Sequence, residues 1–119
     1  MDNFQFKRSD RVSQEIKDII STVLSNKVSL PDSGLITITK VKTSDNLRFS
    51  RIYLSFIGNT ISAEELISSI NKNLNEYRYN LGKSLHIKYV PQIKFYHDDS
   101  FEQTEHIETI INKTKDVSK

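Results

Sequence analysis

The sequence predicts an α+β domain in which three strands form a sheet that packs against helices, in the order α-β-β-α-β-α. Two long segments repeat apolar residues at the spacing of an amphipathic helix, and three shorter segments alternate apolar and polar residues as strands do. The chain has 119 residues, a length that suits one domain, and it has no cysteine, which excludes disulfides and thiolate metal sites. We therefore expect a single domain over residues 1–119 with an apolar core.

The first half of the chain predicts a helix followed by a β-hairpin. Apolar residues at helical spacing predict the helix over about residues 10–26. Residues 35–43 and 49–57 are rich in β-branched and aromatic side chains, and Ser44-Asp45-Asn46 between them is typical of a hairpin turn. The alternation in the first strand changes phase, which predicts a β-bulge near Thr39-Lys40.

The second half predicts a long helix, a third strand and a last helix. The middle helix is expected over residues 62–82, because Ser62–Glu65 forms a capping box at its start and Gly82 can end it. Alternation predicts the third strand over residues 85–96. Asp98-Asp99-Ser100 then indicates the start of a last helix.

The charges are divided unevenly along the chain. Residues 1–97 carry 14 Lys and Arg against 9 Asp and Glu, whereas residues 98–119 carry 3 against 6. A basic body favours a polyanionic partner, although a solvated surface with uneven charge explains the same numbers. The start of the chain lacks the features of a signal peptide, and no apolar run approaches the ~20 residues of a membrane span, so we expect a cytoplasmic protein without a membrane partner.

No motif predicts catalysis or a cofactor. The three glycines are too scattered for a dinucleotide or phosphate-binding loop. One group of side chains resembles a metal or acid–base site, but at the start of a helix these residues are better explained by capping and surface charge: His97, Asp98, Asp99, Glu102, Glu105 and His106. Ser84 and His86 lack an acidic partner, which argues against a hydrolase.

Basic residues are the more informative signal. Residues 72–94 carry five cations against Glu76, and residues 40–51 carry four against Asp45. If the middle helix and third strand are neighbours, these cations can line one ridge beside the sheet, where Tyr79 is a better candidate than Tyr77 to stack on a base. Contacts with four or five phosphates would give a logarithmic salt slope of about −3 to −4.

Several short motifs occur in a fixed order along the chain. The most specific is the stretch 81–95, which begins with Leu81-Gly82-Lys83 and contains Val90-Pro91. The others are Arg11-Val12, Glu15-Ile16, Ser44-Asp45-Asn46-Leu47, Ser50-Arg51-Ile52-Tyr53-Leu54-Ser55 and Asp98-Asp99-Ser100. With these motifs the sequence resembles the ribosome-binding factor A family over about residues 8–112, which we expect to be the ordered core before a short polar tail.

The resemblance implies a type II KH-like domain in which a helix–kink–helix replaces the glycine loop. It further implies a monomer without catalytic activity or cofactor that binds 16S rRNA in free 30S subunits, assists late maturation and 16S rRNA processing, and supports growth in the cold. The kink of the family is typically Ala-x-Gly, and this chain has Asn73-Leu74-Asn75 there. Asn tolerates unusual backbone angles, so both a kinked and a straight helix are compatible with this departure.

Without a glycine loop, contacts to RNA have to come from side chains. We expect a contact segment on the middle helix and supporting phosphate contacts from the strands and hairpin; in that order, the residues are Lys72, Asn73, Asn75, Arg78 and Lys83, then Lys40, Lys42, Arg48 and Arg51. Two other functions remain as alternatives. One is a KH-like adapter that binds a protein through its acidic last helix, and the other is a metal enzyme built on His97, Asp98 and His106.

Overall fold

A computed structural model of the chain describes residues 7–26 and 32–99. The elements follow the order α-β-β-α-α-β, which confirms an α+β fold with a three-stranded sheet. They are α1 (Arg8–Ser25), β1 (Leu35–Thr43), β2 (Phe49–Ile57), α2 (Ala63–Asn71), α3 (Leu74–Ser84) and β3 (Gln92–His97). The last helix was predicted to start at Asp98-Asp99-Ser100; Asp98 and Asp99 are not helical, and residues 100–119 lie outside the described residues.

The sheet has the strand order β1-β2-β3, and the described helices pack on one of its two faces. β1 and β2 are antiparallel, whereas β2 and β3 are parallel. Side chains along a strand alternate between the two faces, and the covered face is apolar. The core joins strand residues to one stripe of each helix: Val12, Ile16, Ile20, Leu24, Ile38, Ile52, Leu54, Phe56, Leu66, Ile70, Tyr77, Leu81, Leu85, Ile93 and Phe95.

The predicted bulge in β1 is confirmed. Ile38 pairs with Leu54 and Lys40 pairs with Tyr53, so the register shifts by one residue at Thr39. A bulge adds one residue to its strand and reverses the faces that the following side chains occupy. The bulge therefore turns Lys40 away from the covered face on which Ile38 is buried.

The middle helix is broken rather than straight. α2 ends at Asn71 and α3 begins at Leu74, and between them Asn73 has φ −113° and ψ 29°, outside the helical range. The break lies next to the predicted kink at Asn73-Leu74-Asn75, so the kinked alternative is the correct one. Ser62 caps α2 as predicted, because its hydroxyl accepts a hydrogen bond from the amide of Glu65 at 3.1 Å.

Asn71, the last residue of α2, occupies the outer edge of β3. Its side-chain Nδ2 donates to the carbonyl of Phe95 at 3.0 Å, and its Oδ1 accepts from the amide of Phe95 at 2.9 Å. The amide thus pairs with the strand as a neighbouring peptide group would. Unpaired edges invite association with other chains, and Asn71 covers this part of the edge.

Three predicted boundaries are wrong. α1 begins at Arg8, before residue 10, and α3 continues past Gly82 to Ser84. The third strand covers only Gln92–His97, whereas residues 85–91 connect α3 to it without strand pairing. Pro91 has no amide hydrogen to donate to a ladder, which prevents regular pairing at that position.

Tyr77 contributes a buried phenol to the core, and this phenol makes the free energy of unfolding decrease at alkaline pH. Burial, with a smaller effect from Glu76, raises the pKa of Tyr77 to about 12. Because the folded protein favours the neutral phenol, the stabilisation is complete below the unfolded pKa of about 10 and declines as pH rises towards 12. Between pH 9 and pH 11 the free energy of unfolding should therefore fall by about 1 kcal/mol more in the wild type than in Tyr77→Phe. Urea unfolding at both pH values measures this, and equal losses in the two proteins would contradict it.

Candidate nucleic-acid interface

The sheet face opposite the helices carries cations on all three strands and tyrosines on β2 and β3. Alternation places them there, since their sequence neighbours such as Val41, Ile52 and Phe95 face the core. None of the three strands contains Asp or Glu. We call this surface the sheet platform and define it by Lys40, Lys42, Arg51, Tyr53, Lys94 and Tyr96.

Three cations stand in one row across the platform. Lys42 pairs with Arg51, and Arg51 in turn pairs with Lys94. Neighbouring strands lie about 4.8 Å apart, so the three Cα atoms fall within roughly 10 Å. All three side chains are exposed. Like charges directly opposite one another destabilise a sheet, and an anionic partner would relieve their repulsion.

The adjacent row combines the tyrosines with lysine. Lys40 pairs with Tyr53, and Tyr53 pairs with Tyr96. The two rings stack with their centroids 5.5 Å apart and an interplanar angle of 28°. Lys40 Nζ lies 5.2 Å from the Tyr53 centroid, and Lys94 Nζ lies 5.5 Å from the Tyr96 centroid. At these distances an ammonium group is attracted to the face of the ring. These cation–π interactions keep the two ammonium groups above the platform.

The helix layer presents the other predicted residues. Lys72, Asn73 and Asn75 are exposed at or beside the break between α2 and α3. Lys83 is exposed near the end of α3, with its Nζ 5.1 Å from the ring of Tyr79. The break between α2 and α3 is therefore a small polar surface with one cation, Lys72. Lys83, near the end of α3, provides a second cation.

Arg78 has a structural role that the sequence did not indicate. Its Nε donates to the carbonyl of Pro91 at 3.2 Å, and its Nη2 donates to the carbonyl of Val90 at 3.3 Å. The side chain is half-buried. The guanidinium on α3 thus binds the end of the segment that precedes β3.

The nine predicted residues belong to three parts of the fold, which are the strands, the hairpin and the helix layer. Lys72 and Lys83 belong to the helix layer, which packs on the covered face, whereas Lys42 and Arg51 lie on the uncovered face. Arg48 is exposed in the hairpin. The strand residues form a continuous cationic surface, and the residues of the helix layer are not part of it.

Sequence reasoning missed Tyr53, Lys94 and Tyr96 as members of the site. Their alternation with buried neighbours was visible, but their alignment with β1 depends on the strand register. Register between strands that are distant in sequence depends on packing and turn geometry, and no local pattern predicts it.

Two further observations on the described residues concern metal binding and insertion into a membrane. Within residues 7–26 and 32–99, no group of three His, Cys, Asp or Glu side chains is placed so that it could hold a metal ion. Glu102, Glu105 and His106 lie outside that part of the chain. No helix in the described ranges is long and apolar enough to cross a bilayer.

The element order, the broken middle helix and the mixed sheet define a type II KH-like domain. The family model of ribosome-binding factor A matches residues 8–111, and the chain belongs to that family. A ribosome-binding factor A from Trichlorobacter lovleyi is 35% identical over 107 residues, covering 90% of this chain and 87% of that protein.

Two structural comparisons support the same fold. The crystal structure of ribosome-binding factor A from Thermus thermophilus aligns with a TM-score of 0.66 and 12% identity, over 75% of this chain and 93% of that one. A homology model of the Thermus thermophilus protein, fitted into a cryo-EM map of its 30S complex, aligns with a TM-score of 0.51 and 16% identity, over 81% of this chain and 90% of that one.

Proposed function

We propose that this protein is a non-catalytic assembly factor that binds 16S rRNA in free 30S subunits. In this role it assists late maturation and 16S rRNA processing, including at low temperature, and it acts as a cytoplasmic monomer without a cofactor. The observation that carries the proposal is the row of Lys42, Arg51 and Lys94 across three strands that contain no Asp or Glu. Family membership and the 30S complex of the Thermus thermophilus protein support it.

The platform suits the backbone of a folded RNA. Lysine and arginine attract phosphates whatever the base sequence, and they fix the position of a protein on its RNA. The row gives three such groups at regular spacing, and Lys40 adds a fourth. Selectivity for one rRNA region then comes from the shape of the RNA and from contacts elsewhere on the protein.

The helix layer supplies the second part of the proposed site. Lys72, Asn73, Asn75 and Lys83 belong to the helices that pack on the covered face, and Arg78 contributes mainly to the framework. The strand residues and the helix residues thus belong to different layers of the domain. We propose that the domain sits between two rRNA elements, with the platform on one and the break between α2 and α3 facing the other.

Co-sedimentation tests the proposal directly. The protein is expected with free 30S subunits from cells and scarcely with 70S ribosomes, because a subunit in late assembly exposes rRNA that joining and maturation cover. The experiment is run at 50 and 200 mM salt, where the higher concentration should release most of the protein. Equal binding to 30S and 70S particles, or no binding to 30S at low salt, would reject the proposed function.

A further inference from the structure

A groove of about 770 Å³ opens where the β1–β2 hairpin faces the connection between α3 and β3. We call it the hairpin groove. Its cationic and aromatic lining residues are Arg8, Arg48, Phe49, Lys88 and Tyr89, and the amide side chains of Asn46 and Gln92 also line it. A groove of this size is comparable to the sites that hold small ligands, at roughly 300–1,000 Å³, and it can admit a nucleotide.

Both walls of the groove are held by hydrogen bonds. In the hairpin, the amide of Phe49 donates to Ser44 Oγ at 3.1 Å, and the amide of Arg48 donates to Asn46 Oδ1 at 3.0 Å. The amide of Gln92 donates to the carbonyl of Arg48 at 2.8 Å and joins the two walls. The guanidinium of Arg78 fixes the second wall, as described above. The groove is therefore formed before any partner binds.

The hairpin also contains a strained residue. Leu47 has φ 60°, in the left-handed region that a branched side chain rarely adopts. Its side chain is half-buried against the core, which holds the backbone in this conformation. The bend at Leu47 precedes Arg48 and Phe49, which line the groove beside it.

The chemistry of the lining favours a nucleotide. Arg8, Arg48 and Lys88 provide three cations, and no lining residue is acidic. Phe49 and Tyr89 are 57% and 73% exposed, which is unusual for large aromatic rings. Exposed rings beside cations are the combination that binds single-stranded RNA, since the rings stack on bases while the cations contact phosphates.

The groove also continues the sheet platform. Phe49 pairs with Gln92, immediately beside the pair Arg51 and Lys94 on the same face. The groove therefore lies beside the cation row, within reach of a strand of RNA whose phosphates contact that row. Paired bases are stacked within a duplex and cannot stack on these rings, so the groove requires an unpaired nucleotide.

We propose that the hairpin groove binds an unpaired nucleotide of single-stranded RNA, whose base stacks on Tyr89 or Phe49. This inference rests on the proposed function for the identity of the RNA as ribosomal, but the groove can be tested without ribosomes. The probe is a fluorescent single-stranded RNA of eight nucleotides, and binding is followed by anisotropy. A blunt RNA duplex of equal length serves as the second probe.

Tyr79, which the sequence suggested as a stacking residue, does not line the groove and therefore provides a matched control. Tyr89 in the groove has Lys88 Nζ at 5.4 Å from its ring, and Tyr79 on α3 has Lys83 Nζ at 5.1 Å. The two tyrosines are 73% and 67% exposed, so replacing either should leave the fold intact. Tyr89→Ala is expected to weaken binding of the single strand roughly tenfold, and Tyr79→Ala less than twofold. Neither should change duplex binding by more than about twofold.

A stacking role also predicts a particular salt dependence. Tyr89→Ala should leave the logarithmic salt slope unchanged, whereas Arg48→Gln should make it shallower by about 0.7. Equal effects of Tyr89→Ala and Tyr79→Ala would overturn the inference, as would an equal loss of duplex binding. Tyr89-dependent binding of an acidic peptide, poly-glutamate, in preference to the RNA would assign the groove to a protein partner and overturn it too.

The failure of this inference and that of the proposed function are distinguishable. If Tyr89→Ala weakens oligonucleotide binding but the protein does not co-sediment with 30S subunits, the inference about the groove is supported and the proposed assembly role is rejected. If the wild type binds 30S subunits and Tyr89→Ala changes neither this binding nor oligonucleotide binding, the proposed assembly role is supported and the inference about the groove is rejected.

Discussion

Replacing Lys42, Arg51 and Lys94 together with glutamine is expected to weaken binding to small-subunit rRNA roughly 50-fold at 0.15 M salt. Each phosphate contact contributes about 0.7 to the logarithmic salt slope on single-stranded RNA, so losing three makes the slope shallower by about 2. The variant and wild-type affinities should converge near 1 M salt. Titration of a fluorescent 16S rRNA fragment at several salt concentrations measures both the affinity and the slope.

The same substitution should not destabilise the fold. The three side chains are exposed and lie opposite one another, so their removal relieves like-charge repulsion in the sheet. We expect the urea midpoint of the triple variant to equal or exceed that of the wild type. A loss of RNA binding with unchanged stability would then reflect the lost contacts rather than unfolding.

Two further variants complete this experiment. Arg11→Gln with Lys17→Gln removes two charges from α1, outside the platform, and should change the salt slope little. Lys72→Gln with Lys83→Gln removes the cations of the helix layer. If this last pair lowers RNA affinity strongly and the platform variant does not, the primary RNA contact lies on the helices, and the role assigned to the sheet platform is wrong.

The local patterns of the sequence predicted most of the fold. Apolar spacing identified α1 and the hairpin strands, and a single change of phase located the bulge at Thr39. The bulge matters for function, because it turns Lys40 and Lys42 towards solvent. The break in the middle helix was one of two alternatives, since the sequence shows that Asn73 tolerates such a backbone but not that the chain adopts it.

The third strand was predicted too long for a physical reason. Leu85, Ile87 and Tyr89 alternate with polar residues as a strand would, yet Tyr89 is 73% exposed and the segment pairs with no strand. Local alternation describes the side chains and leaves open where the backbone hydrogen bonds go. In this segment the carbonyls of Val90 and Pro91 bond to the side chain of Arg78. That partner lies 12 or 13 residues away, beyond the reach of a local pattern.

Prediction of the site was limited even more than prediction of the fold by contacts between residues that are distant in sequence. Arg51 and Lys42 were predicted as phosphate contacts, but Lys94 completes their row only through the parallel pairing of β2 with β3. Arg78 was predicted as a contact because it is a cation in a basic segment. Charge alone does not distinguish a residue that faces a partner from one that satisfies backbone carbonyls, and the geometry favours the second role.

Arg78→Ala is therefore expected to lower the free energy of unfolding by about 3 kcal/mol, since hydrogen bonds from a charged group contribute about 1.5–3 kcal/mol each. The substitution leaves the carbonyls of Val90 and Pro91 without the guanidinium that binds them. Urea unfolding at 25 °C measures the loss. Lys72→Ala, which removes an exposed cation at the break between α2 and α3, should change stability by less than about 0.5 kcal/mol.

Arg78→Lys separates charge from geometry. An ammonium keeps the positive charge but cannot reproduce the planar, two-pronged contact of the guanidinium, so the lysine variant should recover only part of the stability. Arg78→Ala, which removes the charge, should keep the salt slope of the wild type on RNA, because Arg78 bonds to backbone carbonyls and not to phosphate. Because Arg78 holds the wall that contains Tyr89, both substitutions should also weaken binding of the single-stranded oligonucleotide more than binding of the duplex. Wild-type stability of Arg78→Ala, together with a shallower salt slope, would instead make Arg78 a phosphate contact and leave the wall of the groove without its proposed support.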